Sequence, residues 1–315
     1  MTHHRSLPIM LMLLLPLVMF TAIAGCSNEQ NFSTFGYTVK IGAQPDTEQQ
    51  LIAEMYRALI EDRTHLKAEV IPDLDSPEMI GAFLNNEIQI ATFYNGNFTS
   101  RSAAVNMLNP DSDVLIQAQA SSVGAYQFRW LTPLDYHVRY AIWAERQRAE
   151  QEGWKRISDL RNAESPLSLA VDRSWLQKQG AGYEALQEQY GIDFSPMFAA
   201  DTKGVYEALQ SGKADLILVD QHDLRNRELD LVPLEDDRGF FPLYHPVPAV
   251  KSETYRDYAE IAPALALLEG HLDPDTIARL KYEVEVKGVR VKSVAETFLM
   301  EEGLLKQQPG IGHKG

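Results

Sequence analysis

The sequence is poor in cysteine, since Cys26 is the only one among its 315 residues. A single thiol excludes an internal disulfide, a CxxC redox pair and a zinc site built from several cysteines. The sequence also lacks GxSxG, HExxH and P-loop motifs, and no serine is followed by a lysine three positions later. We therefore expect no catalysis, no metal and no cofactor, with a hydrolase or metalloenzyme as the alternative class.

Positive charge is also scarce. The sequence has 29 Lys and Arg residues against 44 Asp and Glu, so its formal net charge is −15 at pH 7. Nucleic acids bind basic surfaces, and this acidic balance argues against a nucleic acid as a partner. A cationic or zwitterionic ligand is compatible with the same balance.

A long apolar run occurs near the N-terminus, where residues 7–25 contain no charged side chain. Arg5 precedes this run and small residues end it, which is the order of parts in a secretory signal peptide. The last residues, Ile23 to Cys26, resemble the lipobox of bacterial lipoproteins, whose cysteine is lipidated and becomes the first residue of the mature chain. We expect residues 1–25 to be a signal peptide and Cys26 to anchor the protein on the extracytoplasmic side of the cell membrane. A transmembrane anchor and a buried thiol are the alternatives.

The chain after Cys26 alternates strand-like and helix-like segments. Strands are predicted at 37–44, 66–71 and 88–94, and helices are predicted to open with a capping box at Thr47 to Gln50 and with Ser76-Pro77. Apolar residues recur with helical period along one face of the first helix, at Leu51, Ile52, Met55, Tyr56, Leu59 and Ile60. This order of elements is typical of a doubly wound α/β sheet.

Two stretches of the chain are alike. AFLNNEIQIATFY at 82–94 and ALQSGKADLILVD at 208–220 align without a gap, each as a helix end, a turn and an apolar strand. Convergent chemistry of helix-to-strand turns is an alternative explanation, but the likeness fits two lobes of similar build. It places Tyr94 and Asp220 at equivalent strand ends, where open α/β sheets bind their ligands.

Two lobes are also expected from length, because roughly 290 residues after the signal peptide exceed what one core usually holds. Proline-bearing, extended segments near residues 130 and 243 are predicted to cross between the lobes. The predicted organisation is a tether at 26–36, lobe 1 at 37–130 and 243–306, lobe 2 at 131–242, and a flexible tail at 307–315.

Four stretches, in this order along the chain, carry a family resemblance: VKIGAQPDTEQQLIAEMYRALIE, FYNG, LDLVPLEDDRGFFPLYHPVPAV and LKYEVEVKGVRVKSVAETFLMEEGLL. They resemble the osmoprotectant-binding lipoproteins of ABC importers, which capture glycine betaine, choline, carnitine and related quaternary ammonium compounds. The resemblance covers nearly all of the mature chain. It implies a two-lobe periplasmic-binding-protein-like fold of type II, with a doubly wound sheet in each lobe and two crossing segments. The implied partners are a small ligand, an ABC permease and its ATPase subunits.

The resemblance also implies a cage of tyrosines around the methylated ammonium group. It assigns Tyr94, Tyr140 and Tyr244 to this cage, with Tyr136 as the alternative to Tyr140. The chemistry is reasonable on its own terms, because a quaternary ammonium has no N–H to donate and is selected by the negative faces of aromatic rings. The structural alternative for each tyrosine is ordinary half-buried packing at a strand end.

Polar residues of the family site correspond here to Gln44 and Asn97, which the resemblance places at the polar end of the ligand. Asp220 is a departure, since the family often has a tyrosine at this position. Its carboxylate could balance an ammonium charge and would disfavour a ligand carboxylate nearby. The alternative for Asp220 is a turn or helix-cap residue, because DQHDL resembles a capped start. The alternative ligand for the same fold is an amino acid or a polyamine.

Overall fold

The computed structural model describes residues 37–94, 128–176 and 182–306. The predicted signal peptide, tether and flexible tail, together with Cys26 and Asn97, lie outside the described residues. No helix within the described ranges is both long and apolar enough to cross a lipid bilayer.

Strands and helices alternate through most of these ranges. The strands are β1 (Thr38–Gly42), β2 (Lys67–Ile71), β3 (Ile90–Tyr94), β4 (Phe128–Trp130), β5 (Tyr140–Glu145), β6 (Leu169–Asp172), β7 (Met197–Ala200), β8 (Leu216–Asp220), β9 (Leu231–Pro233) and β10 (Pro246–Lys251). The helices are α1 (Thr47–Arg63), α2 (Ser76–Leu84), α3 (Arg146–Glu152), α4 (Arg173–Leu176), α5 (Tyr183–Tyr190), α6 (Thr202–Gln210), α7 (Arg225–Glu228), α8 (Ser252–Asp257), α9 (Ile261–Leu265), α10 (Pro274–Glu285) and α11 (Val291–Glu301). Short 3₁₀ helices span Ile157–Asn162 and Ala266–Leu268.

The strands form two five-stranded sheets of the same design. The first sheet has the order β2-β1-β3-β10-β4, and the second has the order β7-β6-β8-β5-β9. In each sheet the first three strands are parallel, the fourth is antiparallel to its neighbours and the fifth pairs with the fourth. The strand β3 therefore occupies the place in its sheet that β8 occupies in the other, as the likeness of 82–94 to 208–220 predicted.

Helix α1 packs against the first sheet, and its local sequence explains which face it buries. The six residues predicted to face the core are each at most 1% exposed, which confirms the helical period. The predicted capping box at Thr47 is wrong, because Asp46 is the cap: its Oδ1 accepts the backbone N–H of Gln49 at 2.9 Å. Asp46 has extended backbone angles one residue before the helix, which is the geometry of an N-cap. Helices α9, α10 and α11 return to pack against α1.

Two segments connect the sheets. Residues 131–139 lead from β4 to β5, and residues 234–245 lead from β9 back to β10. The segments lie side by side, because Val138 and Tyr244 exchange two backbone hydrogen bonds of 2.9 Å. The chain thus crosses between the sheets twice, as the proline-bearing segments predicted, and the ends of strands from both sheets meet near this pair.

Candidate functional site

The predicted tyrosines and aspartate lie where the two sheets approach the crossing segments. Tyr94 is the last residue of β3 and pairs with Pro246, the first residue of β10. Tyr140 is the first residue of β5 and lies directly opposite Asp220, the last residue of β8. Tyr244 comes two residues before β10 begins. Strand order and register therefore bring together residues that are far apart in the sequence.

The three tyrosines of the predicted cage form one aromatic cluster. The ring of Tyr244 lies 6.3 Å from that of Tyr94, at an interplanar angle of 79°. It also lies 6.3 Å from the ring of Tyr140, at 80°. Because successive rings are nearly perpendicular, their faces point in different directions and do not form a flat stack. Ring faces in several orientations suit a compact cation, which is attracted to such faces.

Beneath this cluster lies a buried carboxyl group, that of Glu48 in the first turn of α1. Its Oε1 accepts a hydrogen bond from the hydroxyl of Tyr94 at 2.5 Å and from that of Tyr136 at 2.9 Å. Glu48 is 4% exposed and Tyr136 is 1% exposed. Tyr136, the alternative cage member, is thus fully buried and bonded to Glu48.

Burial raises the pKa of Glu48 to about 7, because a low-dielectric surrounding disfavours the charged form. The ammonium of Lys281 and the Tyr94 hydroxyl favour the charged form, whereas the carboxylates of Asp46 and Asp220 oppose it. The Glu48 carboxyl is therefore a group that changes its charge near neutral pH.

Asp220 forms an ion pair with Lys281 of α10, and the Oδ2 to Nζ distance is 3.2 Å. Both side chains are largely buried, at 14% and 15% exposure. Burial acts to raise the pKa of Asp220, but Lys281 and the contacts with His222 outweigh it and hold that pKa at about 2. Asp220 Oδ1 also accepts the backbone N–H of His222 at 3.1 Å, which is a turn contact rather than a helix cap, because the next helix, α7, has Leu224 as its N-cap and no side-chain cap. The negative charge of Asp220 is thus balanced within the protein.

Three histidine rings lie close together, and one of them, His222, contacts the aspartate. The ring of His137, in the first crossing segment, lies 5.5 Å from the ring of His222 and 5.9 Å from that of His245. Burial and the two neighbouring imidazoles lower the pKa of His137, and burial lowers the pKa of His245. Among the residues that the structure describes, no group of His, Cys, Asp and Glu side chains is arranged to hold a metal ion.

A surface cavity of about 410 Å³ adjoins the aromatic cluster. Tyr140 is one wall, and the other lining residues include Arg139, Trp143, Glu235 and Phe241. The cavity runs along β5 from Tyr140 to Trp143, which pairs with Pro233 of β9. It therefore adjoins the cluster on the side of Tyr140 and is lined by residues of the range that contains the second sheet.

The remaining predicted residues are less closely tied to this cluster. Gln44 is half-buried and lies two residues after β1, at the same end of the first sheet as Tyr94. Asn97 lies beyond the described part of the chain. Contact of Gln44, Asn97, Asp220 or the three tyrosines with a ligand stays a prediction.

Sequence reasoning missed Glu48 and Lys281. A signal for Glu48 was present, because it lies three and four residues before Leu51 and Ile52 and so shares the apolar face of α1. An acidic residue on a face that packs against the core requires a partner. Lys281 carried a similar signal, because it lies three and four residues after the buried Ala278 and Ile277 of α10, but nothing local indicates that its partner is Asp220, 61 positions away.

Comparison with known proteins agrees with this geometry. Residues 37–301 match the OpuAC family, described as the substrate binding domain of ABC-type glycine betaine transport systems. The chain is 27% identical over 266 residues to the carnitine transport binding protein OpuCC of Listeria monocytogenes, covering 84% of this chain and 86% of the relative. It is 26% identical over 289 residues to a glycine-betaine-binding protein of Pseudomonas aeruginosa, covering 87% of this chain and 91% of the relative.

A solved structure shows the same architecture. The crystal structure of a glycine betaine/carnitine/choline ABC transporter protein superposes with a TM-score of 0.67 at 30% identity, covering 84% of this chain and 99% of that one. The expected α/β fold of two-lobe binding proteins is thereby confirmed. The family match extends over most of the chain and concerns transport components rather than enzymes. The chain therefore belongs to the OpuAC family, the extracytoplasmic substrate-binding components of ABC-type glycine betaine transport systems.

Proposed function

We propose that this protein captures a quaternary ammonium osmoprotectant of the glycine betaine, choline or carnitine class and delivers it to an ABC permease. The observation that carries the proposal is the cluster of Tyr94, Tyr244 and Tyr140, with rings at nearly right angles. The cluster draws its members from both sheets and from a crossing segment. The names of the relatives, which bind carnitine and glycine betaine, support the same class of ligand.

The energetics require several contacts. A cation over one aromatic ring contributes about 0.5 to 2 kcal/mol, depending on how far it is desolvated. Micromolar affinity corresponds to about 8 kcal/mol, so three rings leave several kcal/mol for the other end of the ligand. Hydrogen bonds to a charged group contribute about 1.5 to 3 kcal/mol each, and we assign these to Gln44 and Asn97.

A polyamine or an amino acid is the alternative ligand for this fold. A polyamine site would need several carboxylates available to primary amines. Asp220 is instead paired with Lys281, and Glu48 is engaged by two tyrosine hydroxyls. This arrangement favours a quaternary ammonium over a polyamine.

Replacing Tyr244 by alanine is expected to weaken binding of choline and glycine betaine by about 5- to 30-fold, because a ring in contact with both other tyrosines is lost. Tyr244→Phe should bind almost as the wild type does, since the ring face survives. Isothermal titration calorimetry of the wild type and both variants against choline, glycine betaine, carnitine and spermidine measures this.

Tyr255→Ala is the matched control. Tyr255 lies in α8, is 37% exposed and packs with Arg129, remote from the cluster. This variant should keep wild-type affinity. Failure of every quaternary ammonium compound to bind the wild type would refute the proposed function, and equal affinities of Tyr244→Ala and wild type would refute the role of the cage.

We further propose that the ligand binds in the cleft between lobe 1, at 37–130 and 243–306, and lobe 2, at 131–242. Each range contains one of the two sheets, and the paired crossing segments join them. A ligand held by residues of both lobes favours the closed arrangement over the open one by its differential affinity.

The membrane anchor is part of the proposal. Signal peptidase would remove residues 1–25, and lipid on Cys26 would hold the protein at the membrane through the tether at 26–36. Cys26→Ser is expected to abolish lipid labelling and to move the mature protein from the membrane fraction to the soluble fraction, or to leave the precursor unprocessed. Metabolic labelling with a palmitate analogue, followed by fractionation, measures this. Undiminished labelling of the variant would contradict the anchor.

A further inference from the structure

One carboxyl group beneath the aromatic cluster has no place in the proposed binding contacts. Glu48 Oε1 is bonded to the hydroxyls of Tyr94 and Tyr136, and only the first of these belongs to the cluster. Tyr94 in turn contacts Tyr244 through its ring. Glu48 thus contacts the cluster through Tyr94, so one side chain separates its carboxyl from the place proposed for a cation.

The charges that face Glu48 come from several elements. Lys281 approaches from α10, Asp220 from the end of β8 and Asp46 from the N-cap of α1, while Tyr94 and Tyr136 are the neutral hydrogen-bond donors. Lys281 is already paired with Asp220. The pair of Lys281 and Asp220 therefore has no net charge. Ionisation of Glu48 gives the buried group of Glu48, Asp220 and Lys281 a net charge of one negative unit.

A negative charge at this place strengthens cation binding in two ways. It attracts the cation directly across a region of low dielectric, where charges interact more strongly than in water. It also accepts the hydrogen bond of Tyr94, which enhances the negative character of that ring and of its face. Protonation of Glu48 removes the direct attraction and weakens the effect on the Tyr94 ring, because a neutral carboxyl accepts a weaker hydrogen bond than a carboxylate does.

We propose that Glu48 is a positioning residue that couples capture of a cationic ligand in the tyrosine cluster to release of one proton. This inference rests on the proposed function. A protein molecule whose Glu48 is protonated binds the cation, the carboxyl loses its proton to solvent, and the complex holds the ionised carboxylate. Affinity for a permanent cation therefore rises with pH across the range in which Glu48 titrates.

The magnitude follows from the linkage of one proton. Burial raises the pKa of Glu48 to about 7, so about nine in ten molecules are protonated at pH 6 and about one in ten at pH 8. Full coupling to one proton allows at most about a tenfold gain in affinity between pH 6 and pH 8. We expect a gain of about three- to tenfold for choline, which is cationic throughout this range.

The histidines are the competing source of pH dependence. His137, His222 and His245 lie close to one another, and His245 directly follows Tyr244 of the cluster, so a positive charge on any of them would also disfavour a cation. Their contribution must be separated by variants. Glu48→Gln is suited to this, because its amide oxygen can still accept from both tyrosine hydroxyls while the charge is gone.

The experiment is calorimetric titration of choline at pH 6, 7 and 8, with each pH repeated in two buffers of different ionisation enthalpy. Wild type should gain affinity with pH and release protons at pH 7. Glu48→Gln should show nearly constant affinity, close to that of the wild type at pH 6, with little proton release. His137→Gln should retain the pH dependence of the wild type.

The outcomes are distinct. If choline and glycine betaine fail to bind at every pH, the proposed function fails and this inference with it. If choline binds to wild type with constant affinity and no proton release, only the role of Glu48 is overturned. The same holds if the pH dependence persists in Glu48→Gln, whether or not it disappears in His137→Gln. If Glu48→Gln does not fold, proton release that persists in each of His137→Gln, His222→Gln and His245→Gln still assigns the proton to Glu48, and its loss in one of them overturns the role of Glu48.

Discussion

Replacing Lys281 by methionine is expected to lower the free energy of unfolding by about 3 to 5 kcal/mol at pH 7. Lys281 is 15% exposed, and its Nζ lies 3.2 Å from the Oδ2 of Asp220. Methionine keeps the length of the side chain but leaves Asp220 buried with no opposite charge at that distance. It also removes the cation that lowers the pKa of Glu48, so the second carboxyl loses support as well. Urea denaturation of the ligand-free protein measures this change.

Two comparisons test whether the loss arises from the ion pair. Lys292→Met is the matched control, because Lys292 also pairs with a carboxylate but is 58% exposed, with its Nζ 3.9 Å from Glu296. This change should alter the free energy of unfolding by less than about 1 kcal/mol. Adding Asp220→Asn to Lys281→Met should recover much of the loss, since the unpaired buried charge is then gone. A loss in Lys281→Met no greater than in Lys292→Met would contradict the importance of the pair.

The pH dependence of this loss has a definite sign. Despite its burial, the pKa of Asp220 is about 2, below its ordinary value of 3.8, chiefly because Lys281 is close. The stability gained from the ionised carboxylate is present above pH 4 and declines as the pH falls towards 2. The penalty of Lys281→Met should therefore shrink in acid, where Asp220 can take up a proton.

The parts of the fold that could be predicted are those with local signals. The apolar face of α1 follows from its helical period, and β3 and β8 follow from two stretches that share a helix end, a turn and an apolar strand. The N-cap of α1 was misassigned by one residue, because Asp46 and Thr47 are both good capping residues in sequence. The structure distinguishes them by the extended backbone of Asp46 and by its side-chain hydrogen bond to Gln49.

The tyrosines of the site could be predicted through the family resemblance, which assigned Tyr94, Tyr140 and Tyr244 to the cage. The structure brings the rings of these three residues together. The contacts of the buried charged residues could not be predicted from the sequence. The tyrosine partners of Glu48 lie 46 and 88 residues away, so their contacts depend on how strands pair and cross, which no local pattern encodes.

The free energy of unfolding of Glu48→Gln, relative to that of the wild type, is expected to be about 3 kcal/mol higher at pH 8 than at pH 4. This comparison refers to the ligand-free protein. Burial raises the pKa of Glu48 from its ordinary value of 4.5 to about 7. Between these two values the folded protein holds a proton that the unfolded chain has released, so the wild type loses stability as the pH rises through this window. A difference of about 2.5 in pKa corresponds to about 3 kcal/mol.

Glutamine does not titrate, so the variant escapes this loss, and the gap between the two unfolding free energies should widen from pH 4 to pH 8 and then level off. Urea denaturation at four pH values measures the gap, with Glu207→Gln, a change at an exposed residue of α6, as the control that should show none of this dependence. A gap that stays constant with pH would contradict the raised pKa of Glu48. If the gap widens as expected, the wild type retains at neutral pH a carboxylate that lowers its stability. Such a cost is typical of residues kept for binding rather than for folding, and the proposed gain in cation affinity would offset it.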